Sequence, residues 1–348
     1  MERKLASIRK ISEIWPIEGS DFIELARING WNVVVKKGEF QVNDFCIYCE
    51  IDSILPEKEP FEFLKSKKYR IKTQKIRGVL SQGIAFPLNI LWKGKFIEDK
   101  SQISNFKLGD EITDIIGIKK YEPKSSIKMG GEIKSKFIEG VPKTDAERIQ
   151  NLTKELIRWQ EHNLEFIVTE KLDGTSSTFA YINGEYNVCS RNLNLKEDDE
   201  NIYWKISRKY NIQSYIEKIN KNIAIQGEII GPGIQKNKYD LKEQMLYLFS
   251  IFDYDNQKYL DWSKIQDISN YIGIPIVPII FDNIFIHHYT IDELIKNADG
   301  KSKINKNVYR EGLIYNCFNF KDKYINIRNP LGRILFKTIS NKFLLKYD

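Results

Sequence analysis

The sequence predicts an α+β protein in two parts. A small OB-type β-barrel spans residues 1–118, and a larger domain of antiparallel sheets and helices spans 144–348. Three observations predict this. Apolar runs before residue 118 are short and separated by turn formers, which suits a small barrel. After residue 144, apolar runs alternate with helical periodicities. The intervening residues 119–143 are rich in Lys, Gly and Ser and read as a linker or mobile loop.

In the first part, Trp31-Asn32-Val33-Val34-Val35, Phe45-Cys46-Ile47-Tyr48-Cys49, Gly83-Ile84-Ala85-Phe86 and Glu111-Ile112-Thr113 read as strands of a five-stranded barrel. From Lys65 to Arg77 there are seven basic residues and no acidic one: Lys65, Lys67, Lys68, Arg70, Lys72, Lys75 and Arg77, beside Phe61, Phe63 and Tyr69. Arg70-Ile71-Lys72 alternates as a strand does, with its basic side chains on one face. Cations beside aromatic rings suit a polynucleotide, because phosphates supply attraction and unpaired bases can stack. The bland alternative is a solvated loop. Arg70, Lys72, Lys75 and Arg77 are the nucleic-acid-binding candidates.

In the second part, Thr144-Asp145 reads as the cap of a helix on which Ile149, Leu152, Leu156 and Trp159 share a face. Tyr181-Ile182-Asn183-Gly184-Glu185-Tyr186 reads as a hairpin, since Asn-Gly fits a type I′ turn. Asp261 to Tyr271 reads as a helix. The run from Tyr271 to Ile286 is interrupted by Pro275, Pro278 and Asp282, so it reads as buried strands and not as a membrane span.

Composition bounds the class. With 42% hydrophobic and 29% charged residues, 348 residues suffice for two globular cores. Met1-Glu2-Arg3-Lys4 leads into no apolar signal core, and four cysteines in a chain this long imply no disulfide framework. The expectation is a monomer in the reducing cytoplasm, without a membrane partner. A net charge of +7 favours a polyanionic partner.

The most informative stretch is Thr169-Glu170-Lys171-Leu172-Asp173-Gly174-Thr175. The apolar run Phe166-Ile167-Val168 sets Lys171 where a strand gives way to a turn. A lysine acts as a covalent nucleophile only as the free amine, and its ordinary pKa of about 10.4 leaves it charged at neutral pH. Burial, another cation or a metal ion would favour the amine. Downstream, polar groups recur inside apolar strands: Ser190-Arg191-Asn192, Glu228 in Ile225 to Ile230, Phe252-Asp253, Glu311-Gly312 before Leu313, and Lys337 after Phe336. Charged groups on such strands are costly unless paired or used.

This ordered set resembles the covalent nucleotidyltransferase superfamily of ATP-dependent ligases and mRNA capping enzymes. It is most similar to the RNA ligases in which an OB module precedes the nucleotidyltransferase domain, an ATP-grasp-like ligase fold. The similarity is densest over Tyr69 to Pro87, Pro142 to Asn151, Val168 to Gly174, Gln226 to Gln235 and Phe336 to Lys346. The resemblance implies that Lys171 forms lysyl-AMP and that Glu170 reads adenine. It implies that Asp173 and Gly174 complete the motif, that Arg191 contacts phosphate and that Glu228 lies near ribose and metal. Phe252 would stack on adenine, Glu311 would serve the metal, Lys337 would bind phosphates and Arg148 would touch the triphosphate. ATP and Mg2+ or Mn2+ are the implied cofactors, with Asp173, Glu228 and Glu311 reaching the metal through water. The implied substrate is RNA or RNA-containing duplex ends. The usual Lys-x-Lys of the last motif is incomplete: residues 335 and 339 are Leu335 and Ile339, so one of the two phosphate-binding lysines is missing or supplied from elsewhere, with Lys342 a candidate.

Other residues carry less. Cys46 and Cys49 have zinc spacing but no second pair or adjacent histidine. His287 and His288 precede a helix cap near Thr290, and Gly231-Pro232-Gly233 lacks the Lys-Ser or Lys-Thr of a P-loop. A capping guanylyltransferase would carry its OB domain after the catalytic one, whereas eleven residues follow Lys337. A DNA ligase would show Arg where Ser176 stands. A binding module that merely retains the fold would not need Lys171, Glu228, Glu311 and Lys337 together.

Overall fold

The computed structural model describes residues 4–121, 131–219, 221–318 and 333–347. The chain forms two compact units: Met1–Lys124 with Leu344–Asp348, and Ser125–Phe343.

The first unit is built on a five-stranded antiparallel sheet in the order Trp31–Lys36, Ile23–Ile28, Ala6–Pro16, Phe45–Cys49, Ile84–Pro87. The long strand Ala6–Pro16 pairs with Phe45–Cys49 through its first half and with Ile23–Ile28 through its second. A register irregularity between Ile11 and Glu13 lies near the changeover, the sort of defect that curls a sheet toward a barrel. Alternation along Trp31–Lys36 buries Trp31, Val33 and Val35, as a half-buried strand requires.

Two expected strands of this unit are shorter or absent. Glu111 makes a single bridge to Ser7, and Thr113–Ile116 is a helical turn. The Thr113 hydroxyl accepts the Leu5 and Ala6 N–H groups, which draws the chain out of an extended path. Arg70 makes one isolated bridge, to Ile54, and the regular pairing comes later as a hairpin of Gln74–Ile76 with Val79–Ser81. Its turn, Arg77-Gly78, has both residues at positive φ, which short hairpin loops favour.

Among the described residues, the second unit holds two sheets. The larger runs Ile133–Lys136, Leu193–Leu195, Glu185–Cys189, Thr175–Ile182, Ile223–Ile230, Met245–Asp253, Lys258–Tyr259. The smaller runs Glu147–Arg148, Ile334–Ile339, Gly312–Cys317, Glu165–Lys171, Ile279–Phe285. On the larger sheet Phe179, Ile225, Ile229 and Leu248 join a core with Ile206, Ile216 and Ile265 from the helices Ile202–Lys209, Ile212–Ile219 and Trp262–Ile272. On the smaller, Phe166, Val168, Leu313 and Phe336 meet Leu156 and Trp159 of Thr153–Glu161 and Leu294 of Ile291–Ala298. Trp159 and Tyr315 stack on Phe336, with ring centres 5.3 and 4.5 Å away.

The Asn183-Gly184 hairpin forms as expected. Three expectations differ. The helix expected from Thr144-Asp145 begins at Thr153, although Ile149, Leu152, Leu156 and Trp159 do share one core. The Thr144 and Asp145 side chains are bonded to Ser176 and Arg191, so neither caps. The segment 119–143, expected as linker or loop, contains the edge strand Ile133–Lys136, and its residues 122–130 lie outside the described residues. Tyr271 to Ile286 holds the end of a helix and an edge strand on which Phe281 and Phe285 are exposed. Among the described residues, no helix is long and apolar enough to cross a membrane.

Candidate active site

The strand Glu165–Lys171 is flanked on both sides in the smaller sheet, and its two-residue period divides its side chains. Phe166 and Val168 enter the helix-covered core, which leaves Ile167, Thr169 and Lys171 on the other face. The register then aligns the motifs. Thr169 pairs with Ile314, Ile314 with Lys337, and Lys337 with Arg148. One step on, Lys171 pairs with Gly312, and Gly312 with Ile339. Lys171, Lys337 and Arg148 therefore share a sheet face, since paired residues point to the same side. Gly312 is required by space: a Cβ there would lie 2.1 Å from the Thr338 carbonyl oxygen.

Three carboxylates gather at Lys171. Its Nζ donates to Glu311 Oε2 at 2.6 Å, with both side chains largely buried. Glu228 comes from the larger sheet, where Oε1 accepts the Gly174 N–H at 3.1 Å. Gly174 admits this approach because a Cβ there would sit 2.9 Å from Glu228 Cγ. Asp173 is ion-paired with Lys238, and its backbone N–H donates to the Tyr239 hydroxyl at 2.7 Å. Burial pulls the Lys171 amine down, but Glu311, Glu228 and Asp173 outweigh it and hold its pKa above the ordinary value. Burial pushes Glu228 up to about 8 against the pull of Lys171. Burial also raises Asp173, helped by Glu311 and opposed by Lys238. The chain's own groups thus keep Lys171 charged.

The other predicted residues are placed as follows. Glu170 lies on the core-facing side of its strand, with Oε2 accepting the Lys303 N–H at 2.7 Å. Its side chain therefore grips the loop at Lys303. Arg191 sits in the turn between Glu185–Cys189 and Leu193–Leu195 and is paired with Asp145. The stretch carrying Asp145 is tied to the larger sheet by Thr144 with Ser176 at 2.6 Å and by Gln226 Nε2 on the Pro142 carbonyl at 2.9 Å. Phe252 is fully buried, edge-on to Tyr259 at 5.2 Å, and Arg333 lies over the Tyr259 ring at 3.4 Å. Phe249 is only partly buried, at the register shift between Gln226 and Gly227, and packs against the core of the larger sheet, while Tyr247 is the residue paired with Glu228.

In the first unit, Arg70 is bonded to Asp52 at 3.3 Å and stacks on Tyr121 at 3.5 Å. Arg77 donates to the Gly19 carbonyl at 3.2 Å, Lys72 is half-buried, and Lys75 is exposed on the hairpin. The buried Cys46 and Cys49 thiols are pushed up by burial, Cys46 to about 12. Sequence reasoning missed Lys238 and Tyr239. They follow a Gly-Pro-Gly loop with no spacing that separates them from solvated loop residues.

Among the described residues no three His, Cys, Asp or Glu groups are placed to hold a metal ion directly. Asp173, Glu228 and Glu311 nevertheless gather around one amine. That donor set fits a hydrated divalent ion, since magnesium keeps several waters.

An OB-type sheet and a strand-end lysine ringed by carboxylates are the layout of a nucleotidyl-transferring ligase. A family model for an OB-fold domain matches residues 5–88, and one for RNA ligase matches 164–325. No curated protein matches the chain. Solved structures of Naegleria gruberi RNA ligase do. The pyrophosphate complex is 36% identical over 99% of each chain, with a TM-score of 0.88. Variants of that ligase with AMP and Mn and with ATP and Mn match over the same 99% of each chain, at 36% identity and a TM-score of 0.87. The chain belongs to the RNA ligase family.

Proposed function

We propose that the chain is an ATP-dependent RNA ligase that joins 3′-hydroxyl and 5′-phosphate RNA ends, serving RNA repair as a cytoplasmic monomer. One observation carries this: Lys171 ends its strand bonded to Glu311, with Glu228 and Asp173 beside it. In the first step Lys171 Nζ attacks the α-phosphorus of ATP. A nitrogen–phosphorus bond forms, the α–β oxygen bridge breaks with its electron pair leaving on pyrophosphate, and the lysine proton is lost. AMP then passes to the RNA 5′-phosphate. Last, the 3′-hydroxyl displaces AMP and closes the phosphodiester.

Lys337 and Arg148, sharing the Lys171 face, offset phosphate charge and help hold the α-phosphorus in line. Arg191 releases Asp145 to meet phosphate. A magnesium or manganese ion held through water by Asp173, Glu228 and Glu311 would supply positive charge that favours the free amine. Incubation with labelled ATP, followed by sealing assays on a panel of RNA and DNA ends, tests the whole reading. No adduct would overturn it, and joining of DNA ends alone would make the chain a DNA ligase.

The electrostatics set a pH dependence. Lys171 is held above its ordinary pKa and Glu228 near 8, so each reaches its working form, free amine and carboxylate, as pH rises. Single-turnover adenylylation should climb from about pH 6 to about pH 9. A flat or falling profile would contradict this assignment.

Base stacking is the role the resemblance gives to Phe252. Because Phe252 has no exposed surface and Phe249 does, we assign the stacking ring to Phe249. Phe249→Ala should weaken ATP use by about 1–3 kcal/mol and lower the melting temperature less than Phe252→Ala does, since Phe249 is only partly packed against the core. Phe252→Ala should lower the melting temperature, since it opens a cavity worth about 3–5 kcal/mol. The reverse pattern in paired ATP titrations and thermal melts would return the role to Phe252.

A further inference from the structure

The last motif is one cation short. Lys337 is present, but the next residue on its strand face is Ile339, 4% exposed and set across Gly312 from Lys171. Lys342 is exposed on the following helix, and its backbone N–H is bonded to Asp299. Lys238 reaches the site from a different element. Its ammonium is paired with Asp173, two residues from Lys171, and lies 5.1 Å from the centre of the Phe343 ring, just beyond the last strand. Only 17% of its side chain is exposed. An ammonium is strongly hydrated, so a lysine drawn this far from water needs a compensating partner. The loop presenting it holds Gln235, Lys236, Asn237 and Asp240 at positive φ, a conformation costly for residues with side chains and concentrated at functional sites.

Adduct chemistry makes a second cation necessary. When Lys171 bonds to phosphorus it gives up its positive charge and places an anionic phosphate beside Glu311, Glu228 and Asp173, the groups it had been offsetting. We propose that Lys238 supplies the phosphate-directed charge that Ile339 cannot, resting on Asp173 in the nucleotide-free protein and turning to the α-phosphate oxygens of bound nucleotide. This rests on reading the site as one that forms lysyl-AMP.

The test measures binding without covalent chemistry. In Lys171→Met protein, AMP and adenosine are titrated by calorimetry, with and without Lys238→Met. AMP affinity should fall about tenfold or more, the scale of one charge-assisted hydrogen bond, while adenosine affinity stays put. Lys238→Arg should keep most of the AMP affinity, and adding Ile339→Lys to Lys238→Met should restore part of it. Where the methionine variant does not fold, Lys238→Gln carries the same expectation, because it can still bond Asp173 without charge. Equal losses for AMP and adenosine, no loss for AMP, or no restoration in a folded double variant would overturn the proposal. Such failures leave the ligase reading intact, which falls only if protein with Lys171 in place forms no lysyl-AMP.

Discussion

Lys171→Ala protein should form no covalent AMP adduct and should lose ATP-dependent sealing by roughly a thousandfold or more, the scale seen when a covalent nucleophile is removed. Among the described residues no neighbouring lysine is placed to take over. Lys238 is the other lysine seen in this cluster, and it is paired with Asp173. Lys337 shares the face, but a full row of the ladder separates it from the Lys171–Gly312 pair. Arginine should fail at position 171 as well, because its guanidinium stays protonated and offers no lone pair. RNA ends already carrying AMP need no lysine nucleophile, so the Ala variant should still join them. Peptide mapping by mass spectrometry after incubation with ATP and magnesium reads the first outcome, and gel assays of pre-adenylylated RNA read the second. An adduct mapped to another lysine would remove Lys171 from its role. Failure on pre-adenylylated ends by a folded variant would show that Lys171 does more than carry AMP.

The parts of this site that were legible in sequence are those governed by local rules. Lys171, Asp173 and Gly174 are fixed by one strand end and one turn, and Glu228 and Glu311 stood out as carboxylates at the start of or inside apolar strands. The Asn183-Gly184 hairpin was legible because positive φ at two successive residues has few sequence solutions. What failed was decided by tertiary partners. Thr144-Asp145 has the chemistry of a helix cap, yet Ser176 and Arg191 claim its oxygens from more than thirty residues away. Phe252 took its stacking role from the resemblance, which carries no information on burial; it is fully buried, whereas Phe249, at the register shift beside Gly227, is partly exposed. Arg70 read as a free cation in a basic run, but Asp52 and Tyr121, distant in sequence, hold it. Lys238 illustrates the converse, a loop lysine made significant only by the aspartate it meets.

Those contacts of Arg70 decide how the basic segment should be probed. Arg70→Ala would remove a partner of Asp52 and a ring contact, so its loss mixes folding with RNA binding. Lys72 is half-buried, while Lys75 and Arg77 are exposed on the hairpin, where Arg77 donates to the Gly19 carbonyl. Changing these three together to Ala should leave lysyl-AMP formation nearly intact, because the proposed ATP-handling residues all lie in the second unit. RNA-end binding should weaken by about a hundredfold near 0.1 M salt. The slope of log affinity against log salt should become shallower by about 2, as three fewer phosphate contacts release fewer counterions from a single strand. Fluorescence-anisotropy titrations across a salt series, paired with adenylylation assays on the same preparations, give both numbers. An unchanged slope would make the run a solvated face. Loss of adenylylation in a folded triple variant would assign the first unit to nucleotide chemistry and not to the grip on RNA.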